Sequence, residues 1–236
     1  TCCGYRSGQS VSFFEGEDDL AGWESGPRIG LKTQLTIDHL MASSAIPTIF
    51  PPVKINREYF GDGVVRNMAP LSPAVHLGAD RILVIGVSAN KTCKNIRKMS
   101  KYEPKLPHIL EQVINGMFID VIEHVIEKVE LINKLLSKTS DPKAASEELG
   151  FRQIETLLIN PSEPIDQIAI RHINKLPSPI KQFFGLNSEP VEGGLSLASY
   201  LLFEGDFMNE LIALGYKDAK KQAKELDLFF NNDSRY

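Results

Sequence analysis

The chain has 236 residues, 42% of them hydrophobic and 24% charged, which is enough for one large domain or two small ones around a real core. A net charge of −4 argues against nucleic acid as a partner, and no apolar run reaches the roughly 20 residues a transmembrane helix needs. Three cysteines, two of them adjacent (Cys2-Cys3), give neither a disulfide framework nor metal-ligand spacing, and favour a reducing, cytoplasmic compartment. Thr1-Cys2-Cys3-Gly4 has no initiator methionine and no signal-peptide pattern, so the sequence reads as a fragment of something longer.

Val11-Ser12-Phe13-Phe14 is a short strand, followed by an acidic loop from Glu15 to Asp19. Thr36 offers an N-cap to a helix over 37–45, with Ile37, Leu40, Met41 and Ser44 on one face and Pro47 ending it. Tyr59 to Val65 has strand chemistry on either side of Gly61-Asp62-Gly63. Ser72 and Pro73 read as N-cap and first helical residue of a short helix that Gly78 closes. The run 81–87 is apolar without alternation, the mark of a parallel strand buried on both faces. Its best partner downstream is 156–159, with further strands expected from before Thr1.

Beyond residue 95 the chain turns mostly helical, which suggests two regions, 1–95 and 96–236. A helical apolar period runs from His108 to Leu136, about eight turns. Another helix starts at Asp141-Pro142, and short ones lie between Pro161 and Gly185. A helix from Asp206 is expected to stop at Gly215, and a last one to run from about Lys217 to Phe229 with a cluster of lysines. Those lysines could meet an anionic lipid surface, although a solvated helix face is the plainer account.

Asp62 is the candidate catalytic residue. Read alone, Gly61-Asp62-Gly63 is favoured as a β-hairpin turn, since Asp-Gly is a preferred turn pair. The competing reading is that flanking glycines expose a carboxylate able to orient or deprotonate a serine hydroxyl. His39 and His76 sit in helices among apolar neighbours and read as structural, while His108, His124 and His172 are too scattered for a metal pair. No Gly-x-Ser-x-Gly elbow occurs; Ser88 and Ser196 are near misses, and Ser43 and Ser44 read as packing residues on a small-residue helix face. P-loop, dinucleotide and zinc patterns are missing as well.

Several ordered blocks then carry a family resemblance. Ala42-Ser43-x-x-x-Pro47, Phe50-Pro51-Pro52-Val53, Asp62-Gly63, Asn67-x-x-Pro70-Leu71 and His76-Leu77-Gly78-Ala79-Asp80 closely resemble the second half of the patatin-like phospholipases. Arg28-x-Gly30, Ser199-Tyr200-Leu201-Leu202-Phe203 and Leu214-Gly215-Tyr216-x-Asp218-Ala219 look like bacterial members. The resemblance implies an α/β fold, part of a three-layer α/β/α acyl-hydrolase sheet followed by a mostly helical C-terminal region. It implies a lipid acyl hydrolase of phospholipase A or esterase type, working with a Ser-Asp dyad and no cofactor or metal.

Only one dyad residue carries over, Asp62; the family's glycine-rich oxyanion motif and nucleophile elbow lie upstream of the matching blocks and are missing here. The isolated chain is therefore expected to be inactive. Val64 departs from the usual Gly or Ala after Asp-Gly, which motivates the alternative of an inactive patatin-fold module binding a lipid surface or a protein. The partners implied are a phospholipid or other acyl ester and a transient membrane-surface contact, at a cytoplasmic location peripheral to the membrane.

Overall fold

The computed structural model describes residues 1–66, 69–87, 109, 112–113, 116, 120–139, 151–183, 186 and 199–231, without the side chains of 120, 123 and 183. The predicted helix opening at Asp141, most of the amphipathic run before residue 120, and Ser88, Ser196, His108 and Asn67 lie outside the described residues. The fold is α/β, a mixed sheet with helices, and the described C-terminal part is largely helical. The chain divides into two compact units, Thr1–Asp80 with Val121–Ile154, and Arg81–Asp120 with Glu155–Tyr236.

The first unit is built on a six-stranded sheet. Its strands are β1 (Cys2–Gly4), β2 (Ser10–Phe14), β3 (Trp23–Ser25), β4 (Arg28–Lys32), β5 (Val53–Ile55) and β6 (Glu58–Asp62), in the order β3-β4-β2-β1-β6-β5. β2 and β4 run parallel and every other pair is antiparallel. Helix α1 (Ile37–Ser43) packs on β1, β5 and β6, and Cys2, Val11, Ala42, Ile55 and Phe60 form the core beneath it.

α1 does not turn its apolar stripe to the sheet. Ile37, Leu40 and Met41, the apolar face read from spacing, are exposed, whereas Ala42 is fully buried. The helix approaches the sheet through the small Ala42 and through His39, whose ring meets Phe13 edge-on at 4.7 Å. His39 Nδ1 also accepts a hydrogen bond from the Thr36 amide at 3.0 Å, fixing the first turn.

Helix α2 (Ser72–His76) ends before Gly78, which takes a φ of +96° as expected of a helix-stopping glycine. Ser72 is the first helical residue rather than the cap; its hydroxyl accepts from Arg28 Nη1 at 3.2 Å. The carbonyls of Val75 and Ala79 at the end of α2 are taken by Arg152 Nη2 at 2.7 and 3.0 Å. Helix α3 (Asp120–Ser137) buries Leu136, and its Asn133 side chain bonds both backbone groups of Ile154, at 2.8 and 3.1 Å.

In the second unit β7 (Arg81–Ile85) and β8 (Glu155–Ile159) form a parallel pair in register from Arg81↔Glu155 to Ile85↔Ile159. This is the partner the sequence suggested. Burial is one-sided, however: Ile82 and Val84 are buried while Ile85 is 73% exposed. Side chains alternate between the faces of a strand, so a continuous apolar run does not by itself prove two covered faces.

Helix α4 (Ile165–His172), a short α5 (Ser178–Phe183), α6 (Gly205–Lys221) and α7 (Ala223–Asn231) are further described helices of this unit. α4 and α6 are joined by charge: Arg171 holds Glu163 and Glu210, His172 Nε2 lies 2.7 Å from Glu210, and Lys175 holds Asp206.

α6 does not stop at Gly215. Leu214 and Asp218 are buried on either side of it, and that packing outweighs the glycine's cost of about 1 kcal/mol relative to alanine. Nothing lies within 4 Å of where a Gly215 Cβ would be. Gly215→Ala should therefore stabilise the protein by about 0.5–1 kcal/mol, read as a rise in the urea midpoint at unchanged slope. A fall would mean that α6 breaks at this residue after all.

Candidate functional site

Gly61-Asp62-Gly63 is not a hairpin turn. The hairpin lies earlier, at Asn56-Arg57, where β5 and β6 pair from Ile55↔Glu58 to Val53↔Phe60 and Asn56 takes a φ of +54°. Asn tolerates the left-handed region, so it can serve where Asp-Gly seemed the stronger local signal. Asp62 is instead the last residue of β6, opposite Cys2 of β1. It then caps a 3-10 turn over Gly63–Val65, with Oδ1 accepting from the Val64 amide at 2.9 Å.

Both glycines are explained by close approach. A Cβ on Gly61 would stand 2.2 Å from Tyr5 Oη, and one on Gly63 would stand 2.5 Å from the Thr1 carbonyl oxygen. Asp62 is thus fixed from several sides. Its amide donates to the Ala45 carbonyl at 2.9 Å, tying β6 to the turn that follows α1. The small-residue block at 42–47 and the aspartate, 15 or more positions apart in sequence, meet through that bond. Thr48, just after the block, carries a φ of +69°, an unusual conformation for a β-branched residue.

The electrostatics follow from position. Phe60 and Asp62 share one face of β6, the face that carries the core under α1. Burial raises the Asp62 pKa above its ordinary value, with the hydrogen bond from the Val64 amide pulling the other way. Oδ2 takes no hydrogen bond among the described residues. A carboxylate held by one oxygen, with the other uncommitted and basicity increased by desolvation, is suited to accept a proton.

Other candidates resolve clearly. Ser43 Oγ donates to the Leu40 carbonyl at 3.3 Å, and Ser44 Oγ to the same carbonyl at 3.1 Å, so both hydroxyls are spent on the helix backbone. His76 stacks on Trp23 at 4.9 Å, and Trp23 in turn on Phe14 at 5.4 Å, a structural pile rather than a base. Burial and, secondarily, Arg28 lower the His76 pKa.

Sequence reasoning passed over Cys2, whose position opposite Asp62 emerges only from strand pairing. Its thiol is 1% exposed, and burial raises its pKa, so it stays protonated and inert. Among the described residues, no group of three or more His, Cys, Asp or Glu could hold a metal ion, and no helix is long and apolar enough to cross a membrane.

No curated protein and no solved structure matches the chain. A family model does match: that of the patatin-like phospholipases, over residues 11–75. The matched span holds the Ala42–Pro47 block, the Phe50–Val53 block and Asp62, and ends before the C-terminal blocks at 199–203 and 214–219. Residues 11–75 are thus similar in sequence to part of the patatin-like phospholipase family.

Proposed function

We propose that the chain is part of a lipid acyl hydrolase of phospholipase A or esterase type, in which Asp62 is the base of a Ser-Asp dyad and the nucleophilic serine lies outside these 236 residues. The family match supports lipid acyl hydrolysis at the level of the family. The observation that supports the residue assignment is the state of Asp62: a desolvated carboxylate at a strand end, anchored through Oδ1, with Oδ2 taking no hydrogen bond among the described residues.

In the proposed reaction Asp62 takes the serine hydroxyl proton as the oxygen attacks the ester carbonyl carbon. Collapse of the tetrahedral intermediate breaks the ester C–O bond, and Asp62 returns the proton to the leaving alcohol. Water then attacks the acyl-serine with the same carboxylate as base, releasing the fatty acid and restoring the serine. Ground-state desolvation of Asp62 raises its basicity toward the operating pH, where a general base is most effective.

The test is hydrolysis of a short-chain ester and labelling by a fluorophosphonate probe, on this chain and on a longer chain that includes the segment preceding Thr1. The longer chain should hydrolyse and label; this chain should do neither. Asp62→Asn in the longer chain should lower turnover by about 10²- to 10⁴-fold. Turnover that survives Asp62→Asn would overturn the base assignment, and turnover by this chain that is lost on Ser88→Ala would move the nucleophile to Ser88.

A further inference from the structure

The exposed face of α6 combines three apolar side chains with a group of lysines. Met208, Ile212 and Tyr216 recur at every fourth residue, so they form one stripe along the helix, and they are 36%, 59% and 69% exposed. The helix buries its other side through Phe207, Leu214 and Asp218, so the stripe is not what holds α6 to its unit. Where the stripe ends, Ala213, Tyr216, Lys217, Lys220 and Lys221 line an open recess of about 650 Å³.

The charge around the recess is positive and largely uncommitted. Lys217 and Lys220 have no acidic partner among the described residues. Lys221 is shared with the buried Asp218 at 3.2 Å. The acids on this helix's exposed N-terminal half are engaged away from the lysines, Asp206 by Lys175 and Glu210 by Arg171, which also holds Glu163, with His172 Nε2 beside it. A chain of net charge −4 thus places Lys217 and Lys220, without an acidic partner among the described residues, at one end of an apolar stripe.

We propose that this face of α6 docks on an anionic lipid bilayer. An amphipathic helix lying in the interface needs an apolar stripe to enter the acyl boundary and lysines beside it to reach the lipid phosphates, their stems following the apolar surface. Tyr216 joins the two zones, since its ring is apolar and its hydroxyl polar. Charge complementarity selects the anionic surface, and the stripe selects lipid over nucleic acid, because a polyanion in water gives Met208 and Ile212 nothing to enter. The proposal does not depend on Asp62 or on catalysis.

Flotation of the full chain with vesicles tests it, using phosphatidylcholine alone and phosphatidylcholine with about 30 mol% phosphatidylserine. Binding should require the anionic lipid and weaken with salt. Lys217→Gln/Lys220→Gln should weaken it about 25-fold, from about 5-fold per lysine near the surface. Ile212→Ser/Tyr216→Ser should weaken binding while leaving the far-UV circular dichroism unchanged. Asp62→Asn should bind as the parent does, so failure of the hydrolase reading leaves this result standing. No binding to the anionic vesicles, equal binding to both compositions, or undiminished binding by the double-lysine variant overturns the proposal.

Discussion

Asp62→Asn is expected to make the protein more stable at neutral pH. Burial raises the native-state pKa of this carboxyl above the value near 3.8 that an exposed aspartate has. At pH below 3.8 both native and unfolded chains hold the proton and the carboxyl adds no pH dependence. As pH rises past that value the unfolded chain releases its proton first, so the native state binds more protons and stability falls with pH. The fall ends once pH exceeds the native pKa, and a constant penalty remains. Asparagine removes the penalty while its Oδ1 can still accept from the Val64 amide, the bond that caps the 3-10 turn.

Denaturation midpoints at a series of pH values check this. The variant should match the parent near pH 3, exceed it increasingly as pH rises through the native pKa of Asp62, and keep a constant margin above that. Asp62→Ala lacks the acceptor and should lie about 1 kcal/mol below Asp62→Asn throughout. Parity of parent and Asp62→Asn at every pH would show that Asp62 is not desolvated in the native protein. A stabilising substitution that removes turnover from the longer chain is the pattern expected where a strained or desolvated site is maintained for chemistry.

What the sequence disclosed depended on the range of the interactions involved. Local chemistry was legible: Gly78 stops α2, and Val11–Phe14 forms a strand. The parallel partner of β7 was legible because two apolar runs, 81–87 and 156–159, stood out among helical segments. The role of Gly61-Asp62-Gly63 was not, because the strand character of Gly61 and Asp62 comes from pairing with β1, and nothing within the tripeptide reports a partner strand.

The orientation of α1 was hidden for a related reason. Spacing places Ile37, Leu40 and Met41 on one face but does not say whether that face or the one carrying Ala42 meets the sheet. At Gly215 a local rule was overruled by packing. The blocks within 11–75 were legible as a set although their contact was not: the Ala42–Pro47 block and Asp62 are joined by the Ala45–Asp62 backbone bond.

The second large effect is expected at Gly30 and Gly63. A Cβ on Gly30 would stand 2.2 Å from Trp23 Cε3 and Cζ3, because Trp23 lies directly opposite in β3 and its ring covers the glycine. That ring is held between Phe14 and His76, so it cannot retreat without breaking the stack. On Gly63 the obstacle is the Thr1 backbone, with carbonyl oxygen and carbon at 2.5 and 2.8 Å, which no rotamer change relieves. On Gly61 it is the tip of the Tyr5 ring, which can swing aside.

Gly30→Ala and Gly63→Ala should each cost about 2–3 kcal/mol, and Gly61→Ala about 1 kcal/mol. Trp23 is the only tryptophan, so its fluorescence reports unfolding in the Gly61 and Gly63 variants, while far-UV circular dichroism serves for Gly30→Ala, which disturbs the reporter itself. Adding Trp23→Leu to Gly30→Ala should recover part of the loss, because the two changes share one space and are not additive. Equal losses at Gly61 and Gly63 would contradict the distinction between a mobile ring and a fixed backbone. Gly63→Ala has a further consequence: by shifting the 3-10 turn it should move the Val64 amide off Oδ1, so in the longer chain turnover should fall even at temperatures where the variant remains folded.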